Sequence, residues 1–153
     1  MNNDILNKLV KRTITYLKND LGFTTLNNNF TIESTNKLRY NEITSFIDLS
    51  TSIRSNIAFS VSYRFAKELI KKSIFGLTDD DISDELIIEN VSETLNITLG
   101  NIIKELNNLQ GDKDIEISTP SVKNMIFSIE NKNIDFVKIP YQDDFILLSF
   151  FIE

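Results

Sequence analysis

The chain contains no cysteine, histidine or tryptophan among its 153 residues. Without cysteine it has no disulfides, no thiolate metal sites and no thiol nucleophile. Without histidine it has no Ser-His-Asp triad, no zinc site built on imidazole and no general base whose ordinary pKa lies near 7. Any catalysis must therefore use carboxylates, amides, hydroxyls, lysine or tyrosine.

Positive charge and long apolar runs are also scarce. The 16 Lys and Arg residues face 22 Asp and Glu, a net charge of -6 that argues against a nucleic-acid or anionic-lipid partner. The longest apolar run, Phe145 to Ile152, is far shorter than the roughly 20 residues of a membrane helix. The amino terminus lacks the apolar stretch of a signal peptide. We expect one cytoplasmic domain spanning residues 1–153, with no membrane partner and no metal site of its own.

Hydrophobic spacing predicts three helices separated by two groups of strands. The first predicted helix covers Asp4 to Leu21 and the second Tyr63 to Phe75. The third begins with the acidic run Thr78 to Asp81 and continues to about Leu109. A glycine is predicted to end each of them: Gly22, Gly76 and Gly111. The predicted strands are Phe30 to Glu33, Ile43 to Leu49, Ile53 to Val61, Ile115 to Ile117, Met125 to Ile129, Ile134 to Ile139 and Asp144 to Ile152. This order of elements is typical of an α+β fold.

The third predicted helix has two distinct stripes of side chains. The first is apolar and is predicted to face the core: Ile88, Val91, Leu95, Leu99, Ile102 and Leu106. The second is polar apart from one glycine: Glu89, Glu93, Asn96, Gly100, Lys104 and Asn107. A glycine inside a helix costs roughly 0.5 to 1 kcal/mol relative to alanine. Gly100 therefore indicates close packing, either against another helix of the domain or against a partner lying on this face.

Glu93 and Asn96 are three residues apart, so a helix points their carboxylate and amide in the same direction. Chance predicts about one Glu-x-x-Asn in a chain of this composition, and four occur: Glu33/Asn36, Glu93/Asn96, Glu105/Asn108 and Glu130/Asn133. A solvated surface pair is the ordinary explanation for any one of them. Glu93/Asn96 differs from the other three because it lies in the middle of a predicted helix, beside Gly100 and Asn101.

The segment Glu93-Thr-Leu-Asn96-Ile-Thr-Leu-Gly100-Asn101, followed by Ile117-Ser-Thr-Pro120-Ser-Val122, resembles the CheC/CheX/FliY family of chemotaxis phosphatases. The resemblance implies an antiparallel β-sheet with long helices packed on one face, built as a pseudo-repeat of two halves. In that family, the Glu and Asn of one helix enter the active site of the phosphorylated response regulator CheY. Carried over to this chain, Asn96 orients the attacking water and Glu93 contacts the conserved lysine of CheY.

The resemblance also implies how the chemistry is divided between the two proteins. The regulator supplies the aspartyl phosphate and Mg²⁺, so this chain is expected to need no cofactor of its own. Glu89, Gly100 and Lys104 share the face of the pair and are expected to contact the partner, although the family usually has Asp or Ser where this chain has Glu89.

One site per chain is expected, since the first helix has no Glu between Lys8 and Tyr16. CheX-type members also carry one site per chain. The resemblance to them implies a homodimer here. The apolar run Phe145 to Ile152 is compatible with strand pairing between subunits, although a core strand is the commoner explanation.

Two other functions compete with the phosphatase. A CheX-like adaptor or flagellar-switch module that binds a partner without hydrolysis has the same fold, so the fold does not decide between them. The phosphatase requires Glu93 and Asn96 to be exposed together on a convex helix face, whereas the adaptor permits them to be buried or bonded to each other. An enzyme acting on a small molecule needs a concave pocket with converging polar groups, and the sequence marks none. The acidic run Asp79 to Asp81 lacks the ligand spacing of a calcium loop and is typical of a helix start.

Overall fold

The structure is a computed structural model that describes residues 2–110 and 115–153, with side chains described for residues 4–106 and 115–153. In these ranges it has three α-helices: α1 (Asn2–Thr15), α2 (Tyr63–Ser73) and α3 (Asp84–Gln110). Seven strands form one sheet: β1 (Glu33–Arg39), β2 (Ile43–Ser50), β3 (Arg54–Val61), β4 (Glu116–Ile117), β5 (Ser121–Lys123), β6 (Ser128–Tyr141) and β7 (Asp144–Ile152).

The first two helices form where the hydrophobic spacing predicts them. α1 buries an apolar stripe and continues into a π-helical turn, Tyr16–Asp20, after which Gly22 takes the left-handed backbone conformation with φ 79°. α2 begins at Ser62, whose hydroxyl accepts a hydrogen bond from the Phe65 N–H at 3.0 Å, and Gly76 (φ 80°) follows its end. No helix in the described part of the chain has the length and apolarity needed to cross a membrane.

The start of α3 differs from the prediction, because the acidic run does not open this helix. Residues Asp79–Asp81 form a separate short 3₁₀ helix, in which the Asp81 carboxylate accepts hydrogen bonds from the N–H and hydroxyl groups of Thr78 at 3.0 and 2.7 Å. The helix α3 begins at Asp84, and the hydroxyl of the preceding Ser83 accepts a hydrogen bond from the Leu86 N–H at 3.2 Å. The predicted stop at Gly111 lies outside the described residues.

The sheet is antiparallel throughout, in the order β1-β6-β7-β3-β2, with both β4 and β5 paired to the remaining edge of β2. β7 lies between β3 and β6, so its backbone groups are already paired on both sides. The run Phe145 to Ile152 is therefore a core strand, and the idea that it pairs with a second subunit is wrong. The homodimer and the two-half pseudo-repeat stay predictions.

The main hydrophobic core lies between one face of the sheet and the helices. It joins buried residues of α1, α2 and α3 to alternate residues of β2, β3, β6 and β7. The opposite face has a smaller cluster without helical residues, in which Tyr40 stacks on Phe127 and its hydroxyl hydrogen-bonds Ser149 at 2.9 Å. The predicted α+β fold, an antiparallel sheet with helices on one face, is confirmed.

Two strand predictions are wrong, and each error has a physical cause. Phe30 and Ile32 precede the first strand and pack on the core from the preceding loop, whereas β1 itself is a mostly exposed edge strand without apolar alternation. β6 is one strand where two were predicted, because the polar segment Glu130 to Asn133 stays within it as a bulge. Asn131 has φ 62°, a conformation that asparagine tolerates better than most residues, and the register against β1 shifts there.

Candidate functional site

The polar face of α3 is presented to solvent along most of its length. Glu89, Glu93, Asn96 and Lys104 are exposed, and Gly100 is half-buried between them. Residues spaced three or four apart lie on one side of a helix, so these five positions form one continuous face. The side chain of Asn107, the last member of the predicted stripe, lies outside the described residues.

The apolar stripe differs from the prediction at its first position. Ile87 is buried at 1% exposure, whereas Ile88 is half-buried and lines a groove on the other side of the helix. The row of residues that faces the sheet continues from Ile87 through Val91 and Leu95 at intervals of four. Because Ile88 is only one residue away, spacing alone did not separate the two.

The side chains of Glu93 and Asn96 are both exposed, and neither has a polar partner among the described residues. Neither makes a hydrogen bond or an ion pair with any residue that the structure describes, and they are not bonded to each other. An exposed carboxylate and amide without internal partners keep their hydrogen-bonding capacity for another molecule. The joint exposure that the phosphatase hypothesis requires is present, but the pair lines a groove, whereas a convex helix face was predicted.

The other Glu-x-x-Asn pairs have different surroundings. Two lie on strands and not on a helix face, where β1 and β6 shift register: Glu33/Asn36 on β1 and Glu130/Asn133 on β6. Glu130 also pairs with Lys37 at 3.0 Å. Glu105, on α3, is paired with two cations of α1, and the side chain of Asn108 lies outside the described residues.

A groove of about 560 Å³ opens beside the pair. Its polar side is formed by Glu89, Glu93 and Asn96 of α3, and its apolar side includes Ile70 and Ile74 at the end of α2. The sequence did not mark this concavity, because it depends on how the end of α2 lies across α3.

The loop between β4 and β5 also reaches the groove, through Thr119 and Pro120. The two segments that carry the family resemblance are therefore brought to one site, although Asn96 and Pro120 are more than 20 residues apart in the chain. Asn90 lines the same groove, and its side-chain oxygen has no hydrogen-bond partner among the described residues.

The groove is acidic. Two carboxylates, Glu89 and Glu93, line it, and no lysine or arginine is among the described residues that do so. A free phosphate or small phosphorylated metabolite would meet repulsion here and no compensating cation. The site can act on a phosphoryl group only if the positive charge arrives with the molecule that carries that group.

Tyr16 adds a neutral hydroxyl near Glu93. Partial burial, together with the negative charges of Asp20 and Glu93, raises the pKa of the Tyr16 phenol, so it stays protonated at neutral pH. Tyr16 starts the π-helical turn that ends α1, and such turns are frequent at functional sites. Tyr16 could not be predicted as a neighbour of Glu93, because a π-helical turn gives no signal in the hydrophobic spacing.

Gly100 has no close neighbour from elsewhere in the described chain. A Cβ atom added at this position would meet nothing within 4 Å outside the local helix backbone. Close packing of another helix of the domain, one of the two explanations for this glycine, is therefore excluded for the described residues. The contact with a partner stays a prediction.

Two acids of residues 79–81 bind groups of the chain next to the turn between α2 and α3. Asp79 pairs with Lys71 of α2, and the hydrogen bond and charge of Lys71 lower the pKa of Asp79. Asp81 accepts hydrogen bonds from Thr78. No group of three or more acidic side chains in the described ranges is arranged to hold a metal ion.

An antiparallel sheet with helices packed on one face is also the fold of several solved CheC-like and CheX structures. A CheC-like superfamily protein from Shewanella sp. PV-4 has a TM-score of 0.77 at 16% identity, covering 100% of this chain and 99% of that chain. The chemotaxis protein CheX from Desulfovibrio desulfuricans has a TM-score of 0.74 at 16% identity, with coverages of 98% and 99%. CheX in a CheX-CheY-BeF₃-Mg²⁺ complex from Borrelia burgdorferi has a TM-score of 0.66 at 19% identity, with coverages of 98% and 98%. At these identities the likeness shows the fold.

The sequence itself identifies the family. The pattern that describes the chemotaxis phosphatase CheX matches residues 43–142, well over half of the chain. The chain therefore belongs to the CheX family. No curated protein matches it at the level of sequence. Glu93, Asn96 and Pro120 all fall inside the matched region.

Proposed function

We propose that this protein accelerates the hydrolysis of the aspartyl phosphate of a CheY-type response regulator, with Asn96 and Glu93 as the residues that act on it. The observation that carries the proposal is that Glu93 and Asn96 are exposed together on α3, without polar partners among the described residues, and line an acidic groove. Membership of the CheX family supports it, as does a solved neighbour in which a CheX is bound to CheY, BeF₃ and Mg²⁺. Because CheY acts inside the cell, the proposal includes a cytoplasmic location.

The reaction needs no nucleophile from this chain. Water attacks the phosphorus atom in line with the bond to the aspartyl oxygen, that bond breaks, and the products are the free aspartate carboxylate and inorganic phosphate. The amide of Asn96 fixes the water by hydrogen bonding, as a glutamine does in Ras-type GTPases. Holding the attacking water in place supplies much of the barrier reduction, which explains how a protein without histidine or cysteine can be a phosphatase.

The acidic groove supports the choice of substrate. The regulator brings its own lysine and Mg²⁺, so the cations that the groove lacks arrive together with the phosphoryl group. Glu93 then forms an ion pair with that lysine, and Glu89 adds a second negative charge to the same face. Gly100 leaves room for the partner to approach the helix, and exposed Lys104 provides a cation farther along the interface.

The test is phosphate release from phosphorylated CheY with the wild-type protein, the Asn96→Ala variant, or no addition. Loss of a group that positions the reacting water costs about 2 to 4 kcal/mol, so Asn96→Ala should lower kcat roughly 30- to 1,000-fold. Asn133→Ala is the matched control, because Asn133 is an exposed member of a Glu-x-x-Asn pair located on β6. The control should release phosphate at the wild-type rate.

The competing functions give different results in the same experiment. An adaptor would bind CheY, and both the wild type and Asn96→Ala would leave phosphate release at its spontaneous rate. No observation favours the adaptor, since Glu93 and Asn96 are neither buried nor bonded to each other. An enzyme acting on a small phosphorylated molecule is disfavoured by the two carboxylates in a groove without a lining cation in the described chain.

A further inference from the structure

We infer that Ile74 and Phe75, at the end of α2, form an apolar anchor that inserts into a protein partner bound over the groove of Glu93 and Asn96. Phe75 is fully exposed, at 105% of its reference area, and Ile74 is 41% exposed. Ile74 also lines the groove that contains Glu93 and Asn96. Buried aromatic and aliphatic anchors of this kind contribute most of the binding energy in protein interfaces.

The turn that carries Phe75 is held in place from both sides. The Ile74 N–H donates to the Ile70 carbonyl at 3.0 Å, and Gly76 reverses the chain with φ 80°. Lys71, one turn before the end of α2, pairs with Asp79 beyond the turn. A backbone that is already held in place loses less conformational entropy on binding than a mobile loop, so the turn is preorganised for contact.

Charge identifies the kind of partner. The apolar anchor adjoins a groove lined by Glu89 and Glu93 and, among the described residues, by no cation. The lysines of α2 nearest the turn are engaged elsewhere: Lys71 with Asp79, Lys72 over the ring of Phe23 and Lys67 over the ring of Tyr63. An anionic membrane would be repelled by the groove. The complementary surface has a cationic centre with an apolar hollow beside it, and it belongs to a protein.

The inference rests on the proposed function in one respect, namely that this protein partner is the phosphorylated regulator. The Asn96 site would carry out the reaction, while Ile74 and Phe75 would supply affinity. The two contributions should therefore separate in the kinetics. Changes at Phe75 should raise KM, and changes at Asn96 should lower kcat.

The experiment compares Phe75→Ala and Phe75→Glu with the wild type in two measurements: titration against CheY loaded with beryllofluoride and Mg²⁺, and steady-state release of phosphate. We expect Phe75→Ala to raise both Kd and KM roughly 10- to 100-fold with kcat unchanged, and Phe75→Glu to raise them further. Met125→Ala is the control, because Met125 is an exposed apolar residue (62%) between β5 and β6 that, unlike Phe75, has no groove-lining residue next to it in the chain. Both substitutions at Phe75 are at the surface, so thermal unfolding should match the wild type.

The outcomes separate this inference from the proposed function. If the wild type accelerates phosphate release and the Phe75 variants have its Kd and KM, the anchor is wrong and the phosphatase stands. If no acceleration occurs but Phe75→Ala still weakens binding, the phosphatase is wrong and the anchor stands. A change confined to sedimentation behaviour would assign Phe75 to self-association, and one confined to binding of phosphatidylserine vesicles would assign it to a membrane; either result overturns the anchor.

Discussion

Two parts of the same helix carry the same motif and differ in what lies opposite them. Glu105, near the end of α3, accepts a hydrogen bond from Arg12 at 3.3 Å and lies 3.7 Å from the Lys8 amino group. Glu93, three turns earlier, faces no cation in the described chain, and its electrostatic neighbour is the neutral phenol of Tyr16. The sequence of the facing helix, and not the motif itself, decides which carboxylate is available to a partner.

The direction of α1 explains this difference. Lys8 and Arg12 of α1 meet Glu105, whereas Tyr16, which follows the end of α1, is close enough to Glu93 for the negative charge of Glu93 to raise the pKa of its phenol. This part of the chain therefore presents two cations to Glu105 and a neutral phenol to Glu93. Among the described residues, no cation pairs with Glu93.

The strongest test of the comparison removes each carboxylate in turn. Glu93→Ala should raise KM for phosphorylated CheY roughly 30-fold, equivalent to about 2 kcal/mol, because truncation of one member of an interfacial ion pair has this cost. Glu105→Ala should leave KM unchanged and lower the free energy of unfolding by less than about 1 kcal/mol, since its ion pairs are exposed. Urea unfolding and steady-state kinetics on both variants measure the two effects. Equal KM increases in the two variants would show that the pairing of Glu105 does not matter.

A second test gives Glu93 a cation from within the chain. Tyr16→Lys would place an amino group near Glu93 and reproduce the surroundings of Glu105. We expect KM to rise roughly fivefold, because an ion pair within the chain, worth about 1 kcal/mol, must be broken before the partner binds. Tyr16→Phe, which keeps the ring and adds no charge, is the control. A wild-type KM in Tyr16→Lys would mean that Glu93 does not contact the partner.

Gly100 should respond in opposite directions in stability and binding. Gly100→Ala adds a methyl group where nothing lies within 4 Å, so it should raise the free energy of unfolding by about 0.5 to 1 kcal/mol through helix propensity. If a partner lies flat on this face, the same methyl group should raise KM about two- to fivefold. Thermal unfolding measures the change in stability, and steady-state kinetics measures the change in KM. Stabilisation without any change in KM would remove Gly100 from the interface.

The smallest expected effect concerns a third carboxylate, Asp79, which is paired with Lys71. The hydrogen bond and charge of Lys71 lower the folded-state pKa of Asp79 below its unfolded value, so the pair stabilises the fold fully above about pH 4. This stabilisation is lost as the pH falls through the lower, folded-state pKa. Tm of wild type should therefore exceed that of Asp79→Asn at pH 6, and the gap should close in acid. A constant gap would show that the carboxylate charge does not stabilise the turn before α3.

The secondary structure that follows from local spacing was predictable. The helices α1 and α2 and the strands β2, β3 and β7 have strong apolar periodicity or are followed by a glycine. The elements that were misplaced are those in which polar residues stay within a strand or acids form a turn of their own. β6 continues through Asn131 because it pairs with β1 and β7, whereas residues 79–81 form a 3₁₀ helix that local hydrogen bonds between Thr78 and Asp81 close.

Residue types and their spacing limit the possible chemistry: there is no imidazole or thiol, the chain is acidic, and one glutamate and one asparagine lie at helical spacing beside a glycine. The fold adds what the spacing does not contain. No described residue pairs with Glu93 or Asn96, Thr119 and Pro120 line the same groove, and the end of α2 reaches it through Ile74, next to an exposed phenylalanine. Residue type and spacing fix what a side chain can do and which way it points on its own helix, whereas its availability depends on the charges and surfaces that distant segments place opposite it.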